Sequence, residues 1–141
     1  MTFGGVNHLA VLLAAVVAWL ASAAWYASFG RTWTAALGKT PEQIAEDRKR
    51  PGAFLPFLYV FIANLIIARV LAGLLSHLGS GQVTLRNGLV SGAFCWFGFI
   101  LTTMAANYSF AARDVRLLLI DCGNWLIVLL LIGAVIGIVG V

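Results

Sequence analysis

Apolar positions dominate four stretches of the chain and leave the polar residues crowded between them. The stretches run over about His8–Phe29, Phe54–Ser76, Leu85–Asn107 and Leu117–Val139. Each reaches the roughly 20 residues that a helix needs to cross the hydrocarbon core of a bilayer. None shows the short period-two alternation of a barrel strand. Backbone N–H and C=O groups find no water in lipid, so each run is expected to be a helix. The pattern predicts an all-α fold: a polytopic membrane protein, a bundle of four transmembrane helices forming one domain over 1–141.

The polar stretches orient this bundle. The first connection carries Arg31, Lys39, Arg48, Lys49 and Arg50, and the third carries Arg113 and Arg116. These two connections lie on one side, giving seven basic residues there against Arg86 alone on the other. By the positive-inside rule the basic side is cytoplasmic, so both termini face out, an N-out/C-out arrangement. Within the first connection, Thr40-Pro41-Glu42-Gln43 reads as an N-cap, a proline at N1 and a capping-box glutamine at N3. A short cytoplasmic helix over about 41–50 should follow and stop at Pro51-Gly52. Its acidic residues come early and its basic residues late, as the helix dipole favours.

Composition supports the membrane reading. The 141 residues are 62% hydrophobic and only 10% charged, too few charges to cover a soluble surface, which needs about 25%. The net charge of +4 sits at the ends of apolar runs, where it meets anionic lipid headgroups, so no nucleic-acid partner is expected. Residues 1–8 hold no Lys or Arg, so the first run is expected to be retained as a span rather than cleaved as a signal peptide. Counted from the span ends, Cys95 and Cys122 differ in depth by roughly 10 Å, too far for a disulfide.

At the end of the first run stands Trp25-Tyr26, followed by Arg31 and Trp33. Tryptophan and tyrosine favour the membrane–water boundary, so Trp25, Arg31 and Trp33 are expected to act as interfacial anchors. The stretch Trp-Tyr-x-x-Phe-Gly-Arg-x-Trp at 25–33 resembles the signature of a small membrane family, "domain of unknown function 1761". Asn107-x-x-Phe110, with Leu117, Ile120, Asp121 and Gly123, is similar to that family's last hairpin. The resemblance spans nearly the whole chain and implies a four-helix membrane protein with no settled activity.

Ionisable and polar residues inside spans are the candidate chemistry, since a charge at a helix centre costs roughly 2.5–3.5 kcal/mol on insertion scales. Rise per residue places Arg69 ~22 Å and Asp121 ~6 Å from the cytoplasmic edge, too far apart to pair in one subunit. Sorted by depth, the polar residues form two groups. A cytoplasmic-side cluster would comprise Tyr26, Asn107, Asp121 and Asn124, with Ser22 and Thr103 nearby. An outer-side cluster would comprise Asn7, His8, Arg69 and Asn87. A weak internal echo aligns Tyr26 through Arg31 with Tyr108 through Arg113.

Small residues repeat every four positions: Ala10, Ala14, Ala18 and Ser22; Gly88 and Gly92; Gly133 and Gly137. Such stripes let helix backbones approach closely. They are expected to pack helices inside one subunit, or one face of the last helix against a second copy. No nucleophile–base pair, phosphate loop or metal-ligand spacing is visible, so neither catalysis nor a metal or cofactor is expected. The sequence favours a non-enzymatic packing or accessory protein of a cell inner membrane, self-associating or joining a larger membrane complex. The alternative is a small homo-oligomeric transporter or channel with Asp121 and Arg69 on its pathway.

Overall fold

The first helix starts where the Oδ1 atom of Asn7 accepts hydrogen bonds from the backbone N–H groups of Leu9 and Ala10 at 3.1 and 3.2 Å. From there α1 (His8–Ala36) runs unbroken for 29 residues, seven beyond the expected end at Phe29. At ~1.5 Å per residue the excess is about 10 Å, and Trp33 lies about 6 Å beyond the expected end. The computed structural model describes residues 6–79 and 81–141. Ser80 lies outside the described residues.

After α1 comes α2 (Pro41–Lys49), closed by a reciprocal capping box. The Thr40 hydroxyl accepts from the Gln43 N–H, and the Gln43 side chain accepts from the Thr40 N–H. Asp47 pairs with Lys39 at 2.6 Å and with Arg50 at 3.1 Å, tying α2 to its flanks. The Lys39 ammonium, hydrogen-bonded to Asp47, holds this carboxyl below its usual range, with Arg50 adding to the effect. A carboxyl so lowered contributes stability above the ordinary aspartate value of ~3.9, and loses it as pH falls through the lowered value. Proteolysis between α2 and α3 is therefore expected to accelerate below that value, and in Lys39→Met at neutral pH. Equal rates for the variant and the parent at neutral pH would contradict the tie.

Three further long helices complete the fold: α3 (Leu55–His77), α4 (Leu85–Phe110) and α5 (Val115–Val139). With α1 they make four helices long and apolar enough to cross a membrane. The all-helical, multi-pass architecture expected from the apolar runs is present. One end of the bundle carries α2 and the α4–α5 turn; the other carries Val6, Val83 and Val141, packed on the core from the two chain ends and the α3–α4 connection. These are called the α2 end and the termini end below.

The core lies on the axis shared by α1, α3 and α5. Ala14, Ala18, Ala68, Leu71, Val128, Ile132 and Ile136 pack there in one cluster. Small alanines on α1 and α3 meet branched residues on α5, which sets the helices close. Against this trio, α4 docks on α5 backbone to backbone. A Cβ on Gly88 would lie 2.0 Å from the Gly133 carbonyl oxygen, on Gly92 2.6 Å from that of Leu129, and on Gly137 2.4 Å from that of Thr84. The glycine stripes are thus consumed inside the subunit. Of the two expectations for these stripes, packing inside one subunit is the one that Gly133 and Gly137 follow, since α4 backbone fills the space beside them.

Midway, α4 departs from α-helical geometry. Trp96–Leu101 forms a π-helical segment, and the Thr102 hydroxyl donates to the Gly98 carbonyl at 2.7 Å. A π segment takes up about one extra residue, so the helix beyond it is turned by ~100° relative to an uninterrupted one. The short turn after α4 holds Ala112 at φ 48°, left-handed for a residue with a Cβ.

Candidate functional site

The first turns of α5 are held by indole and phenol donors from α1 and α4. Asp121, 8% exposed, is the centre. Its Oδ1 accepts from the Tyr26 hydroxyl at 2.6 Å and from Trp33 Nε1–H at 2.9 Å. Its Oδ2 accepts from the Tyr108 hydroxyl at 2.7 Å. The flanking carbonyls are also taken: Trp25 Nε1–H donates to Ile120 O at 3.0 Å and Trp96 Nε1–H to Cys122 O at 2.8 Å. Five aromatic donors therefore converge on three consecutive residues of α5.

Each donor is placed by a feature of its helix. Trp25 and Tyr26 sit side by side, so two donors reach adjacent residues of α5, and the Trp25 ring covers Gly123, where a Cβ would come within 2.8 Å. Trp33 lies seven residues after Tyr26, about two turns, so both point to one face of α1. Their rings meet edge to face at 5.9 Å. On α4, the π segment begins at Trp96 and shifts the following residues by about one position. Tyr108 therefore takes the direction that an uninterrupted helix would assign to Asn107.

That shift corrects the expected cluster. Tyr26 and Asp121 are brought together as anticipated, but Asn107 is exposed and Tyr108 stands in its place. Asn124 is buried one turn along α5, and its Oδ1 has no hydrogen-bonding partner in the protein. The anchor reading is corrected for Trp25 and Trp33, whose N–H groups point into the bundle rather than to headgroup water. Arg31 is exposed. At the termini end, Asn7 caps α1 and Asn87 donates to Gln82 at 2.8 Å, so each is used within its own segment. His8 is exposed and Arg69 half-buried.

Tyr108 and Trp96 were not singled out from the sequence, although signals exist. An indole N–H in mid-span has to find an acceptor inside the protein, and Tyr108 is the residue that the internal echo pairs with Tyr26. The two tyrosines bind opposite oxygens of one carboxylate.

Chemically the arrangement is a clamp. An ionised carboxylate only accepts hydrogen bonds, and here it faces three donors. Three of its roughly four acceptor sites are engaged, and the donors pin α1 and α4 to α5. Cys122 and Cys95 are free thiols, and Cys122 Sγ lies 3.8 Å from Met104 Sδ. Among the described residues, no three His, Cys, Asp or Glu side chains come together as metal ligands.

No curated protein and no solved structure is significantly similar to the chain. A family model described as "Protein of unknown function (DUF1761)" matches residues 9–137. That match contains every element of the clamp, from Trp25 on α1 to Cys122 on α5, and the chain belongs to this family.

Proposed function

We propose that this protein is a non-enzymatic membrane component that associates with a second copy of itself, or within a larger membrane complex, through the outward face of α4. The observation that carries the reading is the poor coverage of that helix. Only 6% of its most apolar window is buried, against 28–39% for the other three. Gly98, Thr102 and Ala106 are all exposed on α4, flanked by Phe94 and Phe97 at 74% and 63% exposure. A Cβ on Gly98 would meet nothing within 4 Å. Small residues beside large aromatics make a surface on which another helix can seat closely. Thr103 and Asn107, also exposed, add hydroxyl and amide groups that a helix partner satisfies better than lipid does.

The seven-to-one count of basic residues supports a cytoplasmic α2 end in a bacterial-type inner membrane. A pathway through Asp121 and Arg69 has less support. The axis of the bundle is filled by Ala14, Ala18, Ala68, Leu71, Val128 and Ile132, and the Asp121 oxygens are engaged by the clamp.

Disulfide trapping tests the association. In a background with Cys95→Ala and Cys122→Ala, Ala106→Cys is expected to give a covalent dimer on mild oxidation in native membranes. Leu12→Cys, 47% exposed on α1 in the parent, should stay monomeric. Equal, background-level dimer at both positions, with a monomer in lipid nanodiscs, would sink the reading.

A further inference from the structure

No residue of α2 is buried, and none of the four long helices packs along it. Its nine residues are fewer than the ~12–15 that an isolated helix needs in water. The capping box and the Asp47 ion pairs hold its two ends, and the middle needs a surface to lie against. Successive residues turn by ~100° about a helix axis, which sorts α2 into two sides. Gln43, Glu46, Asp47 and Arg50 fall on one side, where they line a recess with Gly38 and Lys39 at the end of α1. Pro41, Ile44, Ala45 and Arg48 fall on the other, and Lys49 and Glu42 share a border, two turns apart. Ile44 is half-buried, and Pro41 and Ala45 are exposed.

The charges divide with the sides. On the first, Asp47 neutralises Arg50 and also takes Lys39. Arg48 and Lys49 make no ion pair among the described residues. The apolar side of α2 therefore carries the basic charge that remains free.

The chain places this side near lipid. The Ala53 N–H donates to the Arg50 carbonyl at 3.1 Å and the Leu55 N–H to the Gly52 carbonyl at 2.9 Å. These tight turns keep the basic end of α2 close to the start of α3. There Phe54 and Phe57 are 65% and 63% exposed, at the start of a helix long and apolar enough to cross a membrane. A short helix with an apolar strip and basic flanks has the chemistry of one that lies in the interface plane, its strip entering the boundary of headgroups and acyl chains. Long basic side chains run their stems along such a strip and raise their charged heads to phosphate. We propose that α2 docks on the surface of its own bilayer through Pro41, Ile44 and Ala45, and that Arg48 and Lys49 select anionic phospholipid headgroups there. The exposed aromatic start of α3 beside the strip favours lipid over an acidic protein. This surface is separate from the outward face of α4 and does not depend on how that face is used.

Thiol accessibility in nanodiscs tests the docking on the full-length chain with Cys95→Ala and Cys122→Ala. The discs are phosphatidylcholine alone or an equimolar mixture with phosphatidylglycerol. Labelling of Ala45→Cys by an uncharged, water-soluble maleimide is expected to be at least several-fold slower in the mixture. Glu46→Cys, on the opposite side, should react at one rate in both. Arg48→Gln and Lys49→Gln should each recover up to about fivefold of the lost rate, the share of one basic residue at an anionic surface. Inorganic phosphate added to the phosphatidylcholine discs should change nothing; slowing by phosphate alone would assign the basic pair to a soluble anion and overturn the proposal. Equal labelling of Ala45→Cys in the two lipids would overturn it and leave the strip to a protein partner. Slowing that survives both glutamines would overturn the assignment of selectivity to Arg48 and Lys49.

Discussion

Asp121→Leu is expected to release the α2 end of the bundle and to lower stability by ~3–5 kcal/mol. Three donors lose their acceptor at once, and the phenols of Tyr26 and Tyr108 and the indole of Trp33 are all part-buried. Hydrogen bonds to charged groups contribute about 1.5–3 kcal/mol each in water-soluble proteins, and interhelical bonds in membranes average nearer ~0.6 with a ceiling of ~1.7. Three bonds at the membrane average give about 2 kcal/mol, and a penalty of ~1–3 kcal/mol for one donor that stays stranded brings the loss to the range stated. Asp121→Asn keeps an acceptor on one side and should cost less, ~1–2 kcal/mol. Tyr26→Phe and Tyr108→Phe each remove one bond, about 1 kcal/mol apiece, and should combine non-additively because they share the carboxylate. Equilibrium unfolding followed by tryptophan emission reads all four, with Trp33 reporting its own release. An Asp121→Leu variant as stable as the parent would show that the clamp carries no stability.

The second large effect concerns the α4–α5 contact. Gly133→Val would place a Cβ 2.2 Å from the Gly88 carbonyl oxygen, against a normal contact of at least 3.4 Å. The obstacle is backbone on both sides, so no side-chain rotation relieves it, and α4 has to move outward by about 1 Å or more. Overpacking of this kind costs typically 1–3 kcal/mol; with rigid backbone as the obstacle, a loss near ~3 kcal/mol is expected. Gly30→Ala is the control of opposite sign. Nothing lies within 4 Å of its added Cβ, so it should stabilise α1 by up to ~1 kcal/mol through helix propensity. Equal stability of Gly133→Val and the parent would mean that the two helices are not held at this distance. The same experiment bears on assembly: if glycine contacts were made between copies, Gly133→Val would dissociate an oligomer and leave the monomer's stability unchanged.

The legible parts of the site share one property, position along the membrane normal. Rise per residue put Tyr26 level with Asp121 and kept Arg69 far from it, and the hydrogen bond at 2.6 Å bears out the first of these. The capping box at Thr40 was equally readable, because its partners lie three residues apart. Asn107 failed for a different reason. It was assigned by depth alone, which does not say where a side chain points around its helix, and a π segment at Trp96–Leu101 turns the helix beyond it by about one residue. Whether α-helical geometry yields to a π turn depends on what the turn gains, here the Trp96 bond to Cys122. That gain exists only once α5 is in place.

The stretch from Trp25 to Trp33 shows the same division. Aromatic residues at the end of an apolar run look like a lipid-interface belt whenever their N–H groups have water to face. Two acceptors on another helix, the Ile120 carbonyl and the Asp121 carboxylate, change that reading, and no local pattern announces them. By itself, then, the sequence determined what depends on distance along the chain: four spans, their depths, the cap of α2 and the small residues that let helices touch. The tertiary structure alone decided what depends on direction around each helix. It turned Gly88 and Gly133 toward each other, exchanged Asn107 for Tyr108, and folded Trp25 and Trp33 of α1 onto α5. Depth is set by hydrophobic transfer, which acts on each residue separately, whereas azimuth is set by packing and hydrogen bonding between helices, which no single helix contains.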